Sequence, residues 1–205
     1  MHQEEARVRL LDAAEELFYA RGIQAVGMDE IRAASGVSLK RLYQAFPSKH
    51  ELVESYLRHR DERWRAALAG HVKEHAATPE DAPAAVFDWL HAWFTTPGFR
   101  GCAFINAFGE LGAVSDGVAR AARDHKDAVH AYVSGLVREL PADDPAALAE
   151  QLALLIDGAI TTATISGTPD AALRARDAAV TLVRAATSAG TGMRACDPEA
   201  LSFGP

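Results

Sequence analysis

Cysteine is almost absent from this chain of 205 residues. Cys102 and Cys196 stand far apart, which excludes a disulfide framework and any cysteine-based metal spacing. No uninterrupted apolar run reaches the ~18 residues that span a bilayer, and the charged N-terminal stretch has no secretory-leader pattern. No segment alternates apolar and polar residues with period two, so strands are not expected. Neither a phosphate-cradling glycine loop nor a Gly-x-Ser-x-Gly elbow occurs. These absences predict a cytoplasmic protein with no membrane partner, no metal and no cofactor.

What is present is strong helix punctuation. Apolar residues make up 49% and charged residues 24% of the chain, the proportions of an ordinary globular protein. The length suffices for a small head and a larger helical body with a core of its own. Ser48-Lys49-His50-Glu51 is a capping box that opens a long helix to about His75. Thr78-Pro79, Asp144-Pro145 and Thr168-Pro169 each set a capping side chain before a proline, a helix-start device. Pro97-Gly98 and Gly167 mark stops. The reading is all-α with about nine helices, over 4–21, 28–35, 39–45, 49–75, 80–95, 101–112, 116–139, 145–166 and 170–188. Residues 1–48 form the head and 49–188 the body; over 189–205 the periodicity is lost and a flexible tail is expected.

Between Ile31 and His50 there is no Asp or Glu, but there are four cations, Arg32, Lys40, Arg41 and Lys49, in a chain of net charge −7. The surrounding stretch, Met28 to Leu52, reads as two short helices about a tight turn at Gly36, where glycine takes positive φ without steric cost. Ile31, Val37 and Leu42 are the apolar positions that pack the pair. Ser38 is placed to cap the second helix with its hydroxyl. That helix, Leu39 to Ala45, is about two turns long and depends on its neighbours for stability. Its outward side chains are Leu39, Lys40, Arg41, Tyr43 and Gln44, a mixture suited to phosphates and base edges. Leu39 suits either a thymine methyl or packing. A positive patch on a helix-turn-helix in an acidic chain points to duplex DNA.

Leu11, Ala14, Leu17, Phe18 and Gly22, then Ile31, Gly36-Val37-Ser38, Leu42-Tyr43, Phe46, Ser48-Lys49 and Leu52 form one combined pattern near the N-terminus. In this pattern the chain resembles the TetR family of transcriptional repressors. The resemblance implies an all-helical protein with one ligand-binding domain behind a DNA-reading head, whose third helix enters the major groove. On it, Lys40, Arg41 and Gln44 would meet base edges or backbone, and Ser38, Tyr43 and Lys49 would hold phosphates. Gly27 stands where family members usually carry a Thr or Ser that caps the second helix and often touches phosphate. Arg32 stands where a small Ala usually packs. Either its stem lies on the surface with the guanidinium turned to phosphate, or the helix pair packs differently. Ala45 replaces a frequent His.

From Leu148 to Ile165 the chain is apolar nearly all round, as in a helix buried on more than one side. The next helix carries one stripe through Leu173, Val180 and Val183 and another through Ala172, Ala175, Ala179, Leu182 and Ala186. Pattern alone leaves open whether these meet the protomer's own core or a second copy. The resemblance implies a homodimer through a four-helix bundle of the last two main helices. It assigns Leu152, Leu155, Ile156, Ala159, Ala175, Ala179, Leu182 and Ala186 to the interface. Such a dimer would read a palindromic operator on double-stranded DNA, its half-sites one turn, ~34 Å, or a multiple apart.

In the middle of the chain Trp89, Trp93, Phe94, Phe99, Phe104, Phe108 and Tyr132 concentrate beside few polar candidates, Asn106, Glu110, His125 and His130. The run from Arg100 to Ala107 resembles the sixth helix of one common subgroup of the family. Aromatics in a helical body are usually core, yet convergent aromatics with a few polar groups also line small-molecule sites. The candidate effector contacts are Trp89, Trp93, Phe104, Asn106, Phe108, His125 and Tyr132, and the expected effector is small and mostly apolar. His71 and His75 share a metal-compatible spacing but lack a Glu between them and a third ligand, so no metal is assigned. Cys102 with His91 or His125 imitates a nucleophile–base pair that nothing orients, so no enzyme is expected. The expected function is sequence-specific regulation by a ligand-released, homodimeric repressor; the alternative is a helical small-molecule-binding protein without DNA regulation.

Overall fold

Regular structure in residues 2–188, which the computed structural model describes, consists of nine α-helices and one 3-10 turn. The expected tail, 189–205, and Cys196 lie outside the described residues. The helices are α1 (Gln3–Arg21), α2 (Met28–Ser35), α3 (Leu39–Ala45), α4 (Lys49–His75) and α5 (Ala82–Phe94). There follow α6 (Ala103–Leu111), α7 (Asp116–Arg138), α8 (Pro145–Ser166) and α9 (Asp170–Ser188). Side chains start several of them. Ser48 accepts from the Glu51 amide at 3.2 Å, Ser115 from Val118 at 3.2 Å and Asp144 from Ala147 at 3.0 Å. Each thereby satisfies a first-turn donor that the helix itself leaves unpaired.

Two boundaries differ from the sequence expectation. Pro79–Asp81 is a 3-10 turn rather than the start of α5. Asp81 accepts from both the amide and the hydroxyl of Thr78 at 3.0 Å, which holds that turn closed. Helix α6 begins at Ala103 rather than 101, because Gly101 has φ +80° and stands outside the helix. A Cβ on Gly101 would lie 2.3 Å from Thr164 Oγ1, so only glycine lets this end of α6 approach α8.

Packing follows the apolar positions. Helix α1 packs against α2, α3 and α4, and Leu10, Ala14, Phe18, Ile31, Val37, Leu42 and Phe46 are buried in the head core. Helix α4 passes from head to body, with Leu52, Tyr56 and Leu57 buried near its start and Leu68 and Val72 further along. The buried core runs through it without interruption. In the body α5 packs mainly on α9, and α8 lies between α7 and α9. Helix α8 is long and apolar enough by composition to cross a membrane, but Glu150 and Asp157 interrupt it and Leu148, Leu152, Ile156 and Ile160 are buried within the protomer.

That packing accounts within the protomer for five of the eight residues assigned to the interface. Leu152, Ile156, Ala159, Ala175 and Ala179 are buried inside the protomer, and Leu155, Leu182 and Ala186 are half-buried. The alanine stripe of α9 lets that helix sit close against α5 and α8 of its own chain. The apolar side chains left outside are Leu154 (74% exposed), Ile165 (83%) and Leu173 (41%).

Candidate nucleic-acid interface and the helical body

The turn between α2 and α3 is closed by local chemistry. Gly36 takes φ +66°, and Ser35, whose hydroxyl donates to the Arg32 carbonyl, accepts from the Val37 amide at 3.3 Å. Ser38 occupies the N-cap position of α3 with extended backbone, but its hydroxyl accepts no capping bond. The expected cap is thus absent, and Ser35 does the work at this turn. Leu42 anchors α3 in the core, while Leu39 and Tyr43 are about half-exposed (50% and 49%) and Lys40 and Gln44 are exposed. Leu39 is therefore an outward residue. Arg41 is half-buried.

The departures at Gly27 and Arg32 resolve simply. Gly27 has φ −91°, which any residue adopts, and a Cβ there would meet nothing within 4 Å. Its amide donates to the Glu30 carboxylate at 3.3 Å, and Glu30 also takes Arg21 at 2.5 Å. The Arg21 guanidinium, more than the Gly27 amide, holds the Glu30 carboxyl below its usual range. Arg32 lies on the surface with Nε 3.7 Å from Asp29, and Ile31 and Ser35 make the helix contact instead. Both acids at the start of α2 thus have an arginine near them, Glu30 closely and Asp29 loosely, while Lys40 has no carboxylate partner among the described residues. Lys49 lies 5.9 Å from the Phe18 ring centroid, a cation–π contact that places its ammonium beside the head core.

Three residues outside the predicted set fix the head in place. The Arg7 guanidinium donates to the Ala45 carbonyl at the end of α3 and to Ser55 on α4, both at 3.3 Å. It also lies 4.5 Å above the Phe46 ring. The Tyr19 hydroxyl donates to the Gly101 carbonyl and accepts from the Arg100 amide, both at 2.9 Å. At the other end of α6, Glu110 accepts from the amides of Ile23 (3.0 Å) and Gln24 (2.8 Å), and Gln24 Nε2 returns a bond to the Glu110 carbonyl at 3.1 Å. Helix α6 is therefore fastened to the end of α1 at both of its own ends.

Comparison with known proteins places this architecture. Residues 10–56 match the family model described as bacterial regulatory proteins, tetR family. A TetR-family transcriptional regulator from Streptomyces coelicolor superposes with a TM-score of 0.81 at 30% identity, covering 90% of this chain and 97% of that one. The chain belongs to the TetR family. It is accordingly a DNA-binding transcriptional regulator with that family's all-helical fold. The regulatory protein TetR from Rhodobacter sphaeroides superposes with a TM-score of 0.74 at 26% identity, over 87% of this chain and 97% of that one. The HTH-type transcriptional activator FasR of Mycolicibacterium smegmatis is 52% identical over 60 residues, 29% of this chain. That match spans only 27% of the relative's own length.

In the body of this TetR-family chain the predicted effector residues divide. Trp64, absent from the prediction, lies edge-on to Trp89 (4.8 Å between centroids), Trp93 (5.7 Å) and His125 (5.2 Å). Phe104 stacks on His125 at 3.7 Å and 7°. These rings pack on one another. Asn106 is exposed and turns back to donate to the Arg100 carbonyl at 2.9 Å. Phe108 is 49% exposed, in an open apolar trough with Ile105 on the outer face of α6 and α7. Tyr132 lines a different cleft with Arg65, Leu68 and Val129. The seven residues thus do not share one pocket.

Two of the seven, Phe104 and His125, share a half-open polar cavity. This cavity of about 100 Å³ between α4, α6 and α7 is lined by Leu57, Phe104 and His125 with charged groups around them. His125 Nδ1 is 2.7 Å from Asp61, which also receives Arg65 through two bonds of 3.0 and 2.7 Å. Burial depresses the His125 pKa despite the Asp61 hydrogen bond, so the ring is neutral near pH 7, with Nδ1–H the donor. Although burial opposes its ionisation, the Arg65 and His125 hydrogen bonds hold the Asp61 carboxyl below its ordinary value. His71 and His75 stack at 3.9 Å on α4, and no group of three or more metal-ligating side chains assembles among the described residues.

Proposed function

We propose that the protein is a homodimeric, cytoplasmic, ligand-released repressor that binds a palindromic operator through α3. The single observation carrying the DNA-contact part is the outward face of α3. Leu39, Lys40, Tyr43 and Gln44 stand exposed on a helix that Leu42 and Arg7 lock into the head. Lys40, Arg41 and Gln44 are assigned to base edges or backbone, with Ser38, Tyr43, Lys49 and the Arg32 guanidinium on phosphates. Leu39 takes a thymine methyl. Gly27 is assigned to phosphate as well, through its backbone alone.

A second copy is assigned to the face carrying Leu154 and Ile165, about three helical turns apart on one side of α8, with Leu173 of α9 beside the connecting turn. Covering these side chains would bury apolar surface that the protomer leaves in water. The two-fold then spaces the heads for successive major grooves.

Release is assigned to α6. Its Phe104 faces the polar cavity, while Tyr19 and Glu110 bind its two ends to the head. A ligand that prefers one position of α6 shifts the population of head orientations, and it must prefer the released one by several kcal/mol to empty the operator. The test is selection of genomic fragments by the purified protein at moderate salt. Enrichment of one palindromic sequence supports the reading, and retention of DNA without a shared motif contradicts it.

A further inference from the structure

We propose that the effector is a small amphoteric molecule, about the size of a free amino acid, held in the cavity between α4, α6 and α7. This rests on the ligand-responsive reading above and gives it a chemical class. The cavity of about 100 Å³ is smaller than the ~150 Å³ apolar cavity that takes up benzene, so it suits a small ligand. Its floor is Leu57, Phe104 and His125, each at most 2% exposed. Its rim is charged with both signs.

Most of those charges are already matched. Glu54 sits 3.5 Å from Arg58 and 3.4 Å from His50, and Asp61 is engaged by Arg65 and His125. Arg120 and Asp124, one turn apart on α7, line the same cavity and are exposed, and neither has an ion-pair partner among the described residues. At the floor, the buried His125 gives Nδ1–H to Asp61, so Nε2 presents a lone pair and has no hydrogen-bond partner among the described residues. A carboxylate fits Arg120, with Arg58 beside it. An ammonium fits the Asp124 carboxylate and the His125 acceptor. A ligand of one sign leaves either Arg120 or Asp124 facing a like charge. A ligand of both signs satisfies the set.

Because Phe104 belongs to the helix fastened to the head at both ends, filling this cavity bears directly on head position. Trp64, edge-on to His125, reports occupancy by its fluorescence. The test uses the full chain without DNA, titrated with individual free amino acids up to about 10 mM. Succinate, putrescine and indole serve as anionic, cationic and apolar controls. The expected result is a saturable fluorescence change and a raised Tm with at least one amino acid, beyond any control. Arg120→Ala and Asp124→Asn should each weaken that binding about tenfold or more while leaving the unliganded Tm unchanged, since neither group is paired. No saturable response from any amino acid, tighter binding of a control, or indifference to both substitutions overturns the proposal. Operator binding is measured separately: intact DNA binding with no amino-acid response discards this ligand class alone, whereas lost DNA binding discards the regulator reading.

Discussion

The head and the body use their aromatic and polar side chains in opposite directions. On α3, Tyr43 and Leu39 stand about half in water around a single buried anchor, Leu42. In the body Trp64, Trp89, Trp93, Phe104 and His125 face one another, and the polar cavity beside them is small. A large, rigid partner such as a duplex demands a projecting surface, which two short helices and a turn can supply. A small ligand demands an enclosure, which only helices far apart in sequence can build. The first task is written in local residue order; the second emerges from packing.

The contrast can be broken at several points. The largest effect is expected from Trp64→Ala, which removes a half-buried ring that touches Trp89, Trp93 and His125 and should cost about 2–4 kcal/mol of unfolding free energy. A cost below about 1 kcal/mol in denaturant unfolding would mean that these rings are not core. Glu110→Ala comes next. Losing the acceptor for two head amides should cost about 1–3 kcal/mol and speed hydrogen exchange at Ile23 and Gln24. Unchanged protection there would remove Glu110 from the link between body and head.

A smaller effect sharpens the comparison through pH. Burial keeps His125 below its ordinary value of 6.5, so as pH falls through that value the unfolded chain takes up a proton that the folded chain refuses. The stability this group contributes is therefore present at neutral pH and declines as pH drops from about 7 toward 5. Asp61, shifted down from 3.8, contributes its loss only at lower pH. His125→Gln should flatten the decline between pH 7 and 5 in thermal melts, and an unaltered slope would assign that decline to other groups. The smallest effect belongs to Gly27→Thr. With open space around the new Cβ and a hydroxyl able to cap α2, stability should rise slightly, within about 1 kcal/mol, and operator affinity should hold or improve. A marked loss of affinity would show that the DNA backbone approaches this position closely.

Much of this division was legible in the sequence. The capping side chains Ser48 and Asp144 and the stops at Gly36 and Gly167 act within one or two turns, so helix positions follow from short stretches of residues. The misplaced starts of α5 and α6 come from Thr78–Asp81 bonding and from the approach of Gly101 to Thr164. The first is a fine choice between two local geometries and the second a contact with a distant helix. Arg7 and Tyr19 carried no signal, and Glu110 stood out only as a polar candidate of the body, because their partners lie 38, 82 and 87 residues away. Trp64 hid in the charged run Arg60-Asp61-Glu62-Arg63. For α8 and α9 the apolar pattern announced burial without naming what does the burying. Leu152 and Ala179 meet their own chain, whereas Leu154 and Ile165 on the same apolar helix stand in water.

The central claim is that the outward face of α3 reads DNA while its inward face only holds it there. Operator binding by the Lys40→Ala, Tyr43→Ala double variant, at moderate salt beside a thermal melt, tests this most directly. The account predicts a loss of affinity of about a hundredfold, a shallower salt dependence because Lys40 no longer meets the backbone, and a melt unchanged within about 0.5 kcal/mol. Undiminished affinity with an intact fold would contradict it.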